Sequence, residues 1–185
     1  MRIGAGADVP AGGGERDFSA FVAARWAALV RTAYLLTGDF HEAEDLVQAT
    51  LTKVYPQWRR LDRGTVDAYL RRSLVNNNRS RHRRRRVAQL LVPLVPERPA
   101  PVAQGGGGPA DGERGLLMAV LAELPERQRA VVVLRYWEDL SAEEVADILG
   151  CSVGTVKSQA SRALAKLREH PALSEYALSG PGARS

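Results

Sequence analysis

The stretch SAEEVADILGCSVGTVKSQASRALAKLRE, Ser141–Glu169, decides how this 185-residue chain folds. Ser141 followed three residues later by Glu144 is the sequence form of a capping box, and it predicts the start of a short helix. Gly150 ends that helix, because the residue just past a helix commonly takes a left-handed conformation that glycine adopts without a Cβ penalty. Ser152 then caps a second helix. Ala146, Gly150 and Val156 stand where a helix-turn-helix needs a small residue at the crossing, a turn glycine and an apolar anchor. Steps of about 100° along the second helix put Val156, Ala160, Ala163, Leu164 and Leu167 on one face. Thr155, Ser158, Ser161 and Arg162 fall opposite, with Lys157 and Arg168 along one edge and Gln159 and Lys166 along the other.

Charge separates the two helices. Ser152 through Arg168 holds four basic residues and no acidic one, whereas the preceding helix carries Glu143, Glu144 and Asp147. An ordinary amphipathic hairpin usually mixes both signs on its exposed face. A recognition helix instead turns small and basic side chains to base edges and keeps acids away from phosphate. The predicted DNA-reading residues are Thr155, Lys157, Ser158, Gln159, Ser161, Arg162 and Lys166. Arg162 is the candidate for a bidentate contact to guanine. Lys157, Lys166 and Arg168 suit phosphates, which position without specifying.

Upstream of this hairpin, LLMAVLAEL reads as one apolar helix from Leu116, and Pro125 suits the first turn of the next, ERQRAVVVLRYW. Before it, the 24 residues from Val92 to Gly115 pass from proline-rich to four consecutive glycines, Gly105–Gly108. That composition predicts an interdomain linker averaging roughly 25–30 Å end to end. The N-terminal half is again helical. Phe18, Phe21, Val22, Trp26, Leu29, Val30 and Ala33 recur at helical spacing up to Gly38. A second helix runs from about Phe40 to Tyr55, where Pro56 ends or kinks it, and Thr65 caps a third. The expected architecture is all-α. It comprises a disordered lead-in (1–16), a first helical domain (17–91), the linker (92–115), a second domain (116–170) and a tail (171–185).

The net charge is +5, yet eight arginines lie between Arg71 and Arg86, so the basicity is local, as on a polyanion-binding surface. A solvated basic tract explains Arg83–Arg86 equally well. On the third helix Val66, Leu70, Ser73, Leu74 and Asn77 form the inner face, with Arg71, Arg72, Val75, Asn76 and Arg79 outward or sideways. On the second, Ala43, Leu46, Val47, Leu51 and Val54 face a core, and Asp45, Gln48, Ala49 and Thr52 form the opposite stripe beside Glu42. That stripe alone is as consistent with plain solvated surface as with a partner's footprint. One cysteine, Cys151, excludes an internal disulfide, and three scattered histidines make no metal cluster. No cofactor is expected. No nucleophile–base pair or phosphate-binding glycine loop is present, which argues against an enzyme. No apolar run reaches membrane-span length, so a cytoplasmic protein without membrane insertion is expected.

A resemblance adds to this reading. FHEAEDLVQATLTKVY resembles region 2.2 of bacterial sigma factors, AYLRRSLVNNNRSRHRRRR resembles regions 2.3 and 2.4, and LAELPERQRAVVVLRYWEDLSAEEVADILGCSVGTVKSQASRALAKL resembles region 4. Their order and the linker between them resemble the extracytoplasmic-function (ECF) group of the sigma-70 family, with a particular likeness to its actinobacterial sigma-E-like subfamily. The resemblance implies a promoter-specificity subunit. Its partners would be core RNA polymerase, through the largest-subunit clamp helices and the flap of the second-largest subunit, promoter DNA, and an anti-sigma factor. Asp45, Leu46, Gln48, Ala49 and Thr52 would then meet polymerase, with Ala49 replacing the glutamate frequent there. Arg60, Asp62, Arg63, Arg71, Arg72, Asn76, Arg79 and Arg83 would meet melted −10 DNA, the loop 60–65 capturing a flipped base. Tyr69 stands where the family often has tryptophan. The helix-turn-helix would read the −35 element. A free-standing helix-turn-helix regulator is the alternative, but a sensor domain has no need of both an acid/amide stripe and an arginine-rich helix.

Overall fold

The structure is a computed structural model, and it describes residues 11–62, 64–91 and 109–173. Seven α-helices follow one another among these residues: α1 (Ala11–Thr37), α2 (Phe40–Val54), α3 (Val66–Leu91), α4 (Pro109–Ala122), α5 (Glu126–Val132), α6 (Ala142–Leu149) and α7 (Val153–Glu169). A 3-10 turn, Tyr55–Arg60, follows α2, and a π-helical turn, Val133–Trp137, follows α5.

Local chemistry sets most of the boundaries. Gly38, at φ +86°, stops α1, and its N–H donates to the Tyr34 carbonyl. Asp39 caps α2 by accepting from the Glu42 N–H at 2.8 Å. Pro56, which has no N–H to continue the ladder, falls at the switch from α2 to the 3-10 turn. Thr65 precedes α3 as expected, but its hydroxyl donates to the Asp62 carbonyl at 3.1 Å instead of capping the helix.

Three boundaries differ from the sequence expectation. Helix α1 already runs at Ala11, so residues 11–16, expected in the lead-in, are helical despite Gly12–Gly14. Helix α4 starts at Pro109, inside the expected linker, because proline loses nothing in a first turn where its missing N–H would have no partner. The expected continuous helix ERQRAVVVLRYW is α5 passing into the π turn, with the Glu138 N–H donating to the Val133 carbonyl. Residues 1–10, 92–108 with the four glycines, and most of the tail lie outside the described residues.

In the N-terminal half, α1, α2 and α3 pack on Leu36, Leu46, Val47, Val54, Leu70 and Leu74, each almost fully buried. Trp58, brought in by the 3-10 turn, stacks with Phe18 and Phe21 at 5.1 and 4.8 Å between ring centroids. A buried polar chain ties α2 to α3: the Asn77 amide donates to Thr50 Oγ1 at 2.9 Å and accepts from Lys53 Nζ. In the C-terminal half, Val131, Leu134, Val145, Val156 and Ala163 fill the centre. The two halves touch through α1, α3, α6 and the π turn. Arg129, at the junction, donates to the carbonyls of Leu36 (3.2 Å), Ala122 (2.6 Å) and Leu124 (3.4 Å). Burial pushes its guanidinium below the ordinary arginine range, an effect the neighbouring Glu126 opposes.

Candidate nucleic-acid and polymerase interfaces

The helix-turn-helix forms as its residues predict. Ser141 Oγ accepts from the Glu144 N–H at 3.1 Å, and Glu144 Oε2 accepts from the Ser141 N–H at 2.7 Å, closing the capping box at α6. Those hydrogen bonds to Ser141 hold the Glu144 carboxyl below the usual carboxylate range; slight desolvation opposes them and Arg71 adds in the same direction. Gly150 is left-handed at φ +61°, and Ser152 caps α7 through the Thr155 N–H at 3.2 Å. Ala146 is buried at the helix crossing, and Val156 beneath the turn.

On α7, Val156, Ala160 and Ala163 are buried and Leu167 packs beside them. Lys157, Ser158, Ser161, Arg162, Lys166 and Arg168 are exposed, which leaves a basic face with no acid on it. Thr155 and Gln159 are half-buried. The Thr155 hydroxyl lies 2.9 Å from Ser152 Oγ, so it is engaged at the cap.

On α2, Asp45, Gln48, Ala49 and Thr52 are exposed along one side. Leu46 is a correction: expected to meet polymerase, it is 0% exposed and packs beneath the stripe. The stripe's N-terminal end is met by α3's own arginines. Arg85 forks onto both Glu42 oxygens at 2.8 and 3.0 Å, and Arg81 reaches Asp45 at 3.8 Å.

The residues expected at melted DNA divide into two groups. Arg60, Asp62, Arg72, Asn76 and Arg83 are exposed, whereas Arg63 lies outside the described residues. Arg71 and Arg79 are bonded to the C-terminal half: Arg71 Nε donates to Glu138 Oε2 at 2.8 Å, and Arg79 Nη1 donates to the Leu149 carbonyl at 3.3 Å. Val75, expected outward or sideways, is 2% exposed. It lies one helical turn from each of these arginines, so the C-terminal half covers it. Tyr69, at the start of α3, is fixed by its hydroxyl, which donates to Gln57 Oε1 at 2.9 Å. Sequence reasoning missed Glu138 and its partner Thr32, whose hydroxyl donates to Glu138 Oε1. The available signal was a hydroxyl on α1 between the apolar Val30 and Ala33.

Among the described residues no group of three or more His, Cys, Asp or Glu side chains could hold a metal ion, and no helix is long and apolar enough to cross a membrane.

Comparison with known proteins adds independent findings. Residues 21–87 match the Sigma-70 region 2 family, and residues 114–167 match the family described as Sigma-70, region 4. The RNA polymerase sigma-E factor of Streptomyces coelicolor is 42% identical over 154 residues, covering 83% of this chain and 85% of that protein. The ECF RNA polymerase sigma factor SigL of Mycobacterium tuberculosis is 32% identical over 77% of this chain and 81% of its own length. Among solved structures, the sigma factor RpoE of Bartonella quintana, crystallised with the anti-sigma factor NepR, superposes with a TM-score of 0.64 at 32% identity, covering 83% of this chain and 96% of that one. Two family matches in the expected order, and relatives aligned along most of their length, place this chain in the sigma-70 family, among the ECF sigma factors that direct transcription initiation at promoters.

Proposed function

We propose that this sigma factor divides its work between two helical domains, residues 17–91 and 116–170, joined by a tether. The first binds core RNA polymerase at the clamp helices through Asp45, Gln48, Ala49 and Thr52, and Leu46 supports that stripe from inside. The same domain captures melted −10 DNA with Arg60, Asp62, Arg63 and the outer side of α3, where Arg71, Arg72, Asn76, Arg79 and Arg83 bond base edges and the single-strand backbone. The second reads the −35 element with α7: Arg162 contacts a base edge, Lys157 and Lys166 contact phosphates, and Ser158, Ser161, Gln159 and Thr155 line the contact. It also meets the polymerase flap. The protein works in the cytoplasm, is not itself an enzyme and takes no cofactor. The Bartonella relative's anti-sigma partner supports the same kind of partner here.

The observation that carries this reading is the pairing of two faces on one rigid body. An exposed acid/amide stripe on α2 is held against an arginine-rich α3 by the buried Thr50–Asn77–Lys53 chain. The test is reconstitution with purified core polymerase. Asp45→Ala with Gln48→Ala should weaken polymerase association about tenfold or more, while duplex binding through α7 stays within about twofold. Equal loss of both, or unchanged polymerase binding, would overturn the division of labour.

A further inference from the structure

One stripe of α3 is covered. Arg71, Val75 and Arg79 stand one helical turn apart on the same side of the helix. The outer two bond to Glu138 and to the Leu149 carbonyl, the last residue of α6, and Val75 is buried between them. Glu138 directly follows the π turn and is 16% exposed at its side chain. One oxygen accepts from Arg71 on α3 and the other from Thr32 on α1, so a single carboxylate clasps two helices of the N-terminal half. Alongside, a cleft of about 330 Å³ runs between Leu61, Tyr69 and Arg72 on one side and Leu140, Asp147 and Ile148 on the other.

From this geometry we infer that the free chain holds itself closed, with Glu138 and α6 masking the DNA-facing stripe of α3, and that capture of the melted strand requires this clasp to open. The inference rests on the reading of α3 as a DNA surface given above. Its chemistry is anion competition. The Glu138 carboxylate occupies Arg71 as a DNA phosphate would, with a charge-assisted hydrogen bond of the kind Arg makes to either group. The masking is one-sided, because Lys157, Ser161 and Arg162 on α7 remain exposed. The closed chain therefore offers its duplex-reading face while withholding its single-strand face. That order suits a subunit that should engage melted DNA only after docking.

The test uses the full chain with two variants outside the proposed DNA and polymerase contacts. Glu138→Gln removes the charge that holds Arg71. Thr32→Val removes the other bond to Glu138 without changing net charge, which controls for simple electrostatics. Radius of gyration in solution and anisotropy of a fluorescent single-stranded DNA of mixed sequence are both measured, with circular dichroism confirming native helicity. Opening predicts a larger radius and about five- to tenfold tighter single-strand binding for Glu138→Gln, with a shift of the same sign for Thr32→Val. Two folded variants with unchanged radius and affinity overturn the clasp. Arg72→Ala with Arg83→Ala separates the underlying reading: if single-strand binding survives it undiminished in the Glu138→Gln background, α3 is not the DNA surface. The clasp then stands or falls on the radius alone.

Discussion

Replacing Gly150 with alanine tests the helix-turn-helix at its tightest point. At φ +61° the backbone is left-handed, where an L side chain brings Cβ against its own carbonyl at a cost of roughly 1–2 kcal/mol. A Cβ built there meets nothing within 4 Å, so no packing clash adds to that cost and no new contact offsets it. The whole effect is therefore backbone strain. Gly154, four residues on in the first turn of α7, is the internal control. It has ordinary helical φ, its Cβ would find Ser152 Oγ at 3.9 Å, and alanine there should stabilise by up to about 0.5–1 kcal/mol through lost unfolded-state freedom. For a chain of this size each kcal/mol moves the thermal midpoint about 2–4 °C. Gly150→Ala should thus lower it by about 2–8 °C, and Gly154→Ala should raise it slightly. Gly150→Asn, which tolerates the left-handed region, should recover part of the loss. Urea melts followed by circular dichroism provide the readout. Equal effects of the two alanines, or a Gly150→Ala midpoint at or above wild type, would refute the left-handed turn.

Two further outcomes are expected. Arg162→Ala should cost on the order of 1–3 kcal/mol at the cognate −35 sequence and flatten the preference at one base position in a competition assay; a uniform loss on all sequences would make Arg162 a phosphate contact. Glu144 has a folded-state pKa held below its unfolded value, chiefly by hydrogen bonds from Ser141. Its contribution is therefore fully present above about pH 4.3 and is lost as pH falls through the folded value. The midpoint difference between wild type and Glu144→Gln should hold steady from pH 7 to about pH 5 and close below that. A difference that stays constant into acid would show that the carboxylate charge contributes nothing.

What the sequence revealed was what its neighbours along the chain decide. The capping box at Ser141 and Glu144, the turn at Gly150, the cap at Ser152 and the inward face of α7 each rest on residues within one or two turns, and each stands where it was expected. The exposed stripe of α2 follows from the same periodicity. The family itself was also legible, because several motifs fall in order along the chain. Glu138 was not legible. Its bond to Thr32 joins residues 106 apart, and no local period announces it. Val75 reads as an outer residue because helical phase places it relative to α1 and α2, whereas its burial comes from the distant α6. The early start of α1 was hidden for the opposite reason. Glycine carries the poorest helix propensity of any residue but proline, so Gly12–Gly14 argue against the helix that nonetheless contains them.

The buried Asn77 has a bearing on how sigma domains could be recombined. Its amide links Thr50 and Lys53 on α2 to a single position on α3. A slip of one residue would shift that position by about 1.5 Å and turn it by about 100°, leaving polar groups buried without partners. A chimera that takes α3 from a relative to change promoter choice must therefore bring residues 50, 53 and 77 as one set. Transplanting the outward side chains alone keeps the native gearing between the two helices.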